Sequence, residues 1–429
     1  MIKMKRLAYI ILVNMLLLCS CSHNNKLWRI QENGLYGFID SIGNVVIEPQ
    51  YRYVGNFYKG YACVVSSMAL AKDSTLQIKY GYINTDNELV IDTTNTISIG
   101  ATYKSGLSDF ADKFADKLFG FEDFALMNLN LLDDRFVFQD PKTKYFGYKD
   151  SEGNVVIKPK YFLAHSFFYG KAVVNIVDLK DFEKKSMASL INRNGVIDIN
   201  GNMIIKPEYA YISDFGKCGK TWASYISKDD DSYSKEWVLL DEKGKNVLPP
   251  MGGEHIYNSN DSLYIVEIDM LIPSYTFMDS KGKFLSDYDH NGRLSVSFQR
   301  GGESELFQDV TAFSEGFAGI KGQYEGHSAW FFANKKLDSN FIPYDSVQCF
   351  SEGLAAVKEY ISDNDFPEDR PGKWGYIDRH ARLQIPYQFS ECGSFNGELA
   401  YFKNYGSTYN MEGYINRKGK IIWQTRCNK

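Results

Sequence analysis

Internal repetition is the feature that most constrains this chain. An aromatic-Gly-aromatic-Ile-Asp/Asn block occurs as Tyr36-Gly37-Phe38-Ile39-Asp40, Tyr80-Gly81-Tyr82-Ile83-Asn84, Phe146-Gly147-Tyr148-Lys149-Asp150 and Trp374-Gly375-Tyr376-Ile377-Asp378, and Gly413-Tyr414-Ile415-Asn416 repeats it after Glu412. Trp237 to Asp241, Tyr275 to Asp279 and Trp330 to Asn334 keep the strand but lack the glycine, whereas Gly195-Val196-Ile197-Asp198 keeps it. This makes nine openings, at 36, 80, 146, 194, 237, 275, 330, 374 and 412. A unit of this size cannot bury an apolar face alone, so neighbouring units must stack.

Two further blocks follow each clear opening. Gly43-Asn44-Val45-Val46-Ile47-Glu48-Pro49-Gln50-Tyr51 is closely matched at 153–161 and 201–209. There the turn glycine supplies positive φ for a hairpin, and the proline, which cannot donate to a ladder, is expected to end the pairing. The third block is Phe-x-x-Gly-x-Ala-x-Val, as in Phe57 to Val64 and Phe350 to Val357, with echoes at Phe313 to Ala318 and Phe395 to Ala400. Its alternating small and branched residues predict a strand with one closely packed face. Each unit thus reads as three short antiparallel strands. With 30 Tyr and 29 Phe in 429 residues, composition agrees with an all-β chain. The expected fold is an array of three-stranded meanders, either closed like a propeller or left as a curved solenoid.

These blocks resemble the WG repeat of bacterial proteins, named for the pair seen here as Trp374-Gly375, and the likeness runs through nearly all of 27–425. The resemblance implies association or binding and carries no catalytic residues. Gly37, Gly81, Gly147, Gly375 and Gly413 are accordingly read as structural positions. The acid or amide that closes each opening, at 40, 150, 198, 241, 279 and 378 among others, is read as turn chemistry, since it recurs in every unit. One long step holds an insertion in which Leu107, Phe110, Ala111, Phe114, Leu118 and Phe121 share one helical face, predicting an amphipathic helix near 107–121. It reads as a cover for an open edge or face of the array, with partner docking as the alternative.

The N-terminus sets location. Lys3, Lys5 and Arg6 precede an apolar run from Leu7 to Leu18, the pattern of an export signal over residues 1–20. Leu18-Cys19-Ser20-Cys21 resembles a bacterial lipobox, which implies cleavage before Cys21, lipidation of that residue and a short tether over 21–26. Several acyl chains anchor firmly where one does not. Ser22 follows the cysteine, and the tether lacks an acidic run, which favours the periplasmic face of the outer membrane.

Charge and motifs narrow the chemistry. The net charge is −5 and becomes about −8 once the leader is removed, so the bulk charge attracts neither nucleic acid nor an anionic membrane. The seven cysteines are scattered without a C-x-x-C, the six histidines show no ligand spacing, and zinc-protease, serine-hydrolase, P-loop and dinucleotide motifs are absent. Asp287, Asp289 and Asn291 match the first half of a calcium loop, but Phe298 stands where the closing carboxylate belongs, and a solvated turn is the plainer reading. No cofactor is otherwise expected. The aromatic openings serve either as core between stacked units or as a groove for a glycan or extended peptide. The function expected is a membrane-anchored, non-catalytic binding or scaffolding module of the cell envelope with a protein or glycan ligand. The alternative is an envelope hydrolase using paired carboxylates, which a buried, mutually close acid pair in a cleft would favour.

Overall fold

The computed structural model describes residues 26–70, 76–99, 133, 135–177, 193–213, 215, 219–229, 232–248, 251–252, 255–258, 263–267, 275–285, 287–288, 294–295, 307–324, 327–337, 342–359 and 372–427. The helix expected near 107–121, the leader, Cys21, Asp289 and Asn291 lie outside them.

The described residues form strands without helices, gathered into ten antiparallel sheets. Nine of these sheets each contain one of the nine openings. The tenth is a hairpin, Asp287–Tyr288 paired with Leu294–Ser295, inserted into the sixth unit between the Met278–Phe284 and Tyr275–Phe307 bridges.

The sheets are out of phase with the sequence unit. In the eighth, Ser346–Val347, Leu354–Lys358, Trp374–Asp378 and Leu383–Phe389 lie side by side in chain order. The strand begun by the Phe-x-x-Gly block therefore pairs with the opening that follows it, Ala355 to Ile377 and Val357 to Gly375. Five sheets gain a fourth, two-residue strand from the segment before that block. Glu352 and Gly353, both with positive φ, then make the tight turn bridged by Ser351 and Leu354. The alanine-valine strand is buried on both faces: Ala62 and Val64 pack toward the first sheet, Cys63 and Val65 toward the third.

The opening glycine and the proline block explain each other. Tyr36 pairs with Tyr51 and Phe38 with Ile47, so two residues on one strand face four on the other, and the excess forms a bulge at Glu48-Pro49. The bulge occupies the place of the missing side chain: a Cβ on Gly37 would lie 2.3 Å from the Ile47 carbonyl oxygen and 2.7 Å from the Pro49 nitrogen. Gly147, Gly195 and Gly375 meet the equivalent carbonyl oxygen at 2.5 to 2.6 Å and the nitrogen two residues further on, that of Pro159, Pro207 or Tyr387, at 2.8 to 3.0 Å. The proline thus marks a bulge inside the strand and does not end it, because pairing resumes at the following Tyr or Phe. Where Val238, Thr276 or Phe331 replaces the glycine, outer-strand pairing shrinks to short contacts such as Trp237–Met251, Tyr275–Phe307 and Trp330–Tyr344.

Consecutive sheets pack face to face. The aromatic after the opening glycine meets the phenylalanine of the next Phe-x-x-Gly block, with ring centroids 4.7 Å apart for Phe38–Phe57, 4.8 Å for Tyr148–Phe167 and 5.0 Å for Tyr376–Phe395. Tyr148 and Tyr376 also donate their hydroxyls to the His165 and Gly393 carbonyls of the next sheet, each at 2.8 Å.

The last sheet treats the first in the same way. Tyr414 donates to the Arg29 carbonyl at 2.7 Å, and Trp28, Ile30 and Ile39 pack on Leu399, Tyr414, Ile422 and Trp423. The turn glycine Gly43 abuts Ile422, as Gly201 abuts Ile157 and Gly419 abuts Ile385 at interior junctions. The array is therefore a closed ring of nine sheets. The first sheet uses residues 28–51 alone and the last 391–427 alone, so side-chain packing closes the ring without a shared strand.

Candidate functional site: the turn face of the ring

Both tight turns of a sheet fall at one end, as the pairing of Lys171 with Asp198 and of Leu354 with Asp378 requires. The ring repeats that placement sheet by sheet, creating a face made of turns. Each turn opens on an acid or amide that holds it. Asp40 Oδ1 accepts from the Ile42 and Asn44 amides at 3.0 and 2.9 Å, and Asp198, Asp241, Asp279, Asp378 and Asn416 do the same. At Asp378, burial pushes the carboxyl upward in pKa, but the Arg382 and His380 amides and the Arg382 guanidinium outweigh it and hold it below the usual carboxylate value.

An open cleft of about 540 Å³ lies on this face between the seventh and eighth sheets, lined by Glu315, Glu352, Asp378, Arg379, His380 and Arg382. Its acids are engaged. Glu315 accepts from the Gly353 amide at 3.0 Å and from Arg379 at 2.6 Å, while Glu352 accepts from the Gly397 amide at 3.2 Å. Arg417 donates to the Glu352 carbonyl. These bonds run from the Phe-x-x-Gly turns at Glu315 and Glu352 to the next sheet, so the two acids tie the seventh, eighth and ninth sheets together. They do not form the buried carboxylate pair that hydrolysis would need.

The turn face also segregates charge. The turns of the first four sheets, 40–44, 84–88, 150–154 and 198–202, carry six carboxylates and no cation. In the next five, 241–245, 279–283, 334–337, 378–382 and 416–420, eleven Lys and Arg face four carboxylates. Lys243, Lys245, Lys281 and Lys283 are exposed, and no carboxylate among the described residues forms an ion pair with them. Glu315, Glu352 and Glu398 on neighbouring turns leave the cations in the majority. The bulk charge conceals this pattern, yet the sequence shows it once the turns are aligned, Asp-Ser-Ile-Gly-Asn at 40–44 against Asn-Arg-Lys-Gly-Lys at 416–420.

The other residues singled out from sequence lie elsewhere. Asp287 begins the inserted hairpin. Gly37, Gly81, Gly147 and Gly375 sit inside strands under the bulges, whereas Gly413 pairs directly with Gln424. Tyr80, Phe146 and Trp237 are buried, and Tyr36, Tyr275, Trp330 and Trp374 are half-buried against neighbouring sheets, which makes them core.

Fold and repeat together define a β-ring of stacked repeat units. A family model described as the WG containing repeat matches residues 36–66, 146–176, 195–225, 340–360 and 374–407, so WG repeats are present in five segments. No curated protein matches the sequence. Similar solved structures include a puromycin hydrolase mutant (10% identity, TM-score 0.33, covering 82% of this chain and 58% of that one). Dipeptidyl peptidase 4 of Porphyromonas gingivalis gives 9% identity and TM-score 0.42, with 94% and 58% covered. The β-propeller domain of the Trilobed protease from Pyrococcus furiosus gives 8% identity and TM-score 0.36, with 85% and 97% covered. The chain spans little more than half the length of the first two.

Proposed function

We propose that this protein is a lipid-anchored, non-catalytic binding or scaffolding module of the cell envelope, held at the periplasmic face of the outer membrane through Cys21. The observation that carries the non-catalytic reading is the state of the cleft acids, each committed to a backbone amide or an arginine that stitches neighbouring sheets. A closed ring of repeats offers a rigid surface with many exposed turns, which suits association with a protein or glycan. The lipobox-like Leu18 to Cys21 supports the anchor.

The anchor is tested by fatty-acid labelling. Replacing Cys21 with Ala should abolish label and leave the protein unprocessed or released; label that persists in the variant defeats the assignment. The non-catalytic reading is tested by purifying the protein with Glu315→Gln and Glu352→Gln and comparing hydrolysis of envelope glycans and peptides. Turnover by the parent that both variants lose would establish the hydrolase instead.

A further inference from the structure

We infer that the cationic half of the turn face rests on an anionic phospholipid surface. This deepens the reading of Cys21 as the anchored residue and depends on it.

The first argument is where the chain enters the ring. Lys26 lies against Gly397, whose turn is on the turn face, and Trp28 pairs with Ile39 beside the turn that begins at Asp40. The tether therefore leaves from the turn face at the seam between the ninth and first sheets. Five residue steps separate Cys21 from Lys26, and an extended chain covers at most about 18 Å in five steps. A lipid on Cys21 confines this face, and not the opposite one, to the neighbourhood of the bilayer.

The second argument is charge. On the ninth sheet the turn 416–420 carries Arg417, Lys418 and Lys420, all exposed, with Arg417 reaching back to the Glu352 carbonyl of the eighth sheet. The fifth and sixth sheets add Lys243, Lys245, Lys281 and Lys283, whose companions Asp241 and Asp279 are turned inward onto the backbone amides of those same lysines. An anionic headgroup layer attracts such residues within about a Debye length, roughly 8 Å at physiological salt. The acidic turns of the first four sheets are repelled by the same surface, so the ring tilts onto sheets five to nine. Net negative charge does not oppose this, because screening leaves only the near face to be felt.

The test uses the mature acylated protein reconstituted on vesicles of phosphatidylcholine alone or of phosphatidylcholine with phosphatidylglycerol, with lysine acetylation rates read by mass spectrometry. On the anionic vesicles Lys283, Lys418 and Lys420 should be modified at least about fivefold more slowly than on neutral ones, and high salt should remove the difference. Lys142 and Lys144, in the hairpin at the opposite end of the third sheet, should be unchanged. A variant with Lys243, Lys245, Lys281 and Lys336 replaced by Glu, shown to be folded by circular dichroism, should lose the protection at Lys283, Lys418 and Lys420. Equal rates on both vesicles, protection at Lys142 and Lys144 instead, protection without vesicles, or protection that survives charge reversal would each overturn the proposal. Absence of acyl chains on the purified protein, seen in its intact mass, would mark failure of the anchor separately.

Discussion

Replacing Gly375 by Ala isolates the coupling between the opening glycine and the bulge. The new Cβ would lie 2.6 Å from the Ile385 carbonyl oxygen, 3.0 Å from the Tyr387 nitrogen and 3.1 Å from the Pro386 carbonyl carbon. All three are backbone atoms, so no rotamer change relieves the contact. The outer strand is fixed on either side by the Tyr376–Ile385 and Trp374–Phe389 pairs, and moving it breaks one of them. Overpacking of this kind costs about 1–3 kcal/mol, which exceeds the roughly 0.4–1 kcal/mol that replacing Gly gains by restricting the unfolded chain. Gly322 is the control, with nothing within 4 Å of its added Cβ and an ordinary φ, so Gly322→Ala should be neutral or slightly stabilising. The urea midpoint should therefore fall for Gly375→Ala and stay level or rise slightly for Gly322→Ala. Hydrogen exchange should locate the damage of Gly375→Ala in the outer strand Leu383–Phe389. Gly375→Val should be at least as destabilising. Equal midpoints for Gly375→Ala and Gly322→Ala would refute the bulge argument.

Other outcomes follow from the same geometry. Tyr414→Phe removes the seam hydrogen bond and should cost about 0.5–1.5 kcal/mol in urea unfolding, the same as Tyr148→Phe at an interior junction; a silent Tyr414→Phe beside a costly Tyr148→Phe would mean the seam is not closed in solution. Burial pushes the Tyr161 and Tyr414 phenols up to about 12. A folded pKa above the unfolded one gives stability that is complete below about pH 10 and lost as pH rises toward 12. Circular dichroism should therefore show unfolding that starts above pH 10, and a stability independent of pH between 10 and 12 would contradict it. Calcium titration by calorimetry should give no saturable heat, and a chelator-sensitive melting temperature that Asp287→Ala removes would reverse that expectation.

Local chemistry was legible because it is carried by neighbours in sequence. The nine openings are nine strands in nine sheets, since an aromatic-Gly-aromatic block before an Asx turn specifies a strand and its exit within a few residues. The division of the chain into sheets was not, because a strand's partners lie in other blocks: the alanine-valine strand joins the opening ahead of it, a choice made by pairing between residues up to 24 positions apart. The proline was misread for the same reason. Seen alone it removes a donor, and only beside Gly375 or its equivalents does the bulge have somewhere to go.

By itself, then, the sequence determined a stacked all-β repeat with turns closed by Asx chemistry, while burial in the folded ring decided that the opening aromatics fill the spaces between sheets. Periodicity and turn residues act over short range, and the chain states them directly. Tertiary structure alone decided that nine units complete a circle, because closure depends on the small rotation between successive sheets accumulating until Tyr414 meets Arg29 and Gly43 meets Ile422. The same rotation decided that turns far apart in sequence share one face. There, residues spread over 180 positions become a single cationic surface beside the point where the chain enters, although the sum of charges is negative.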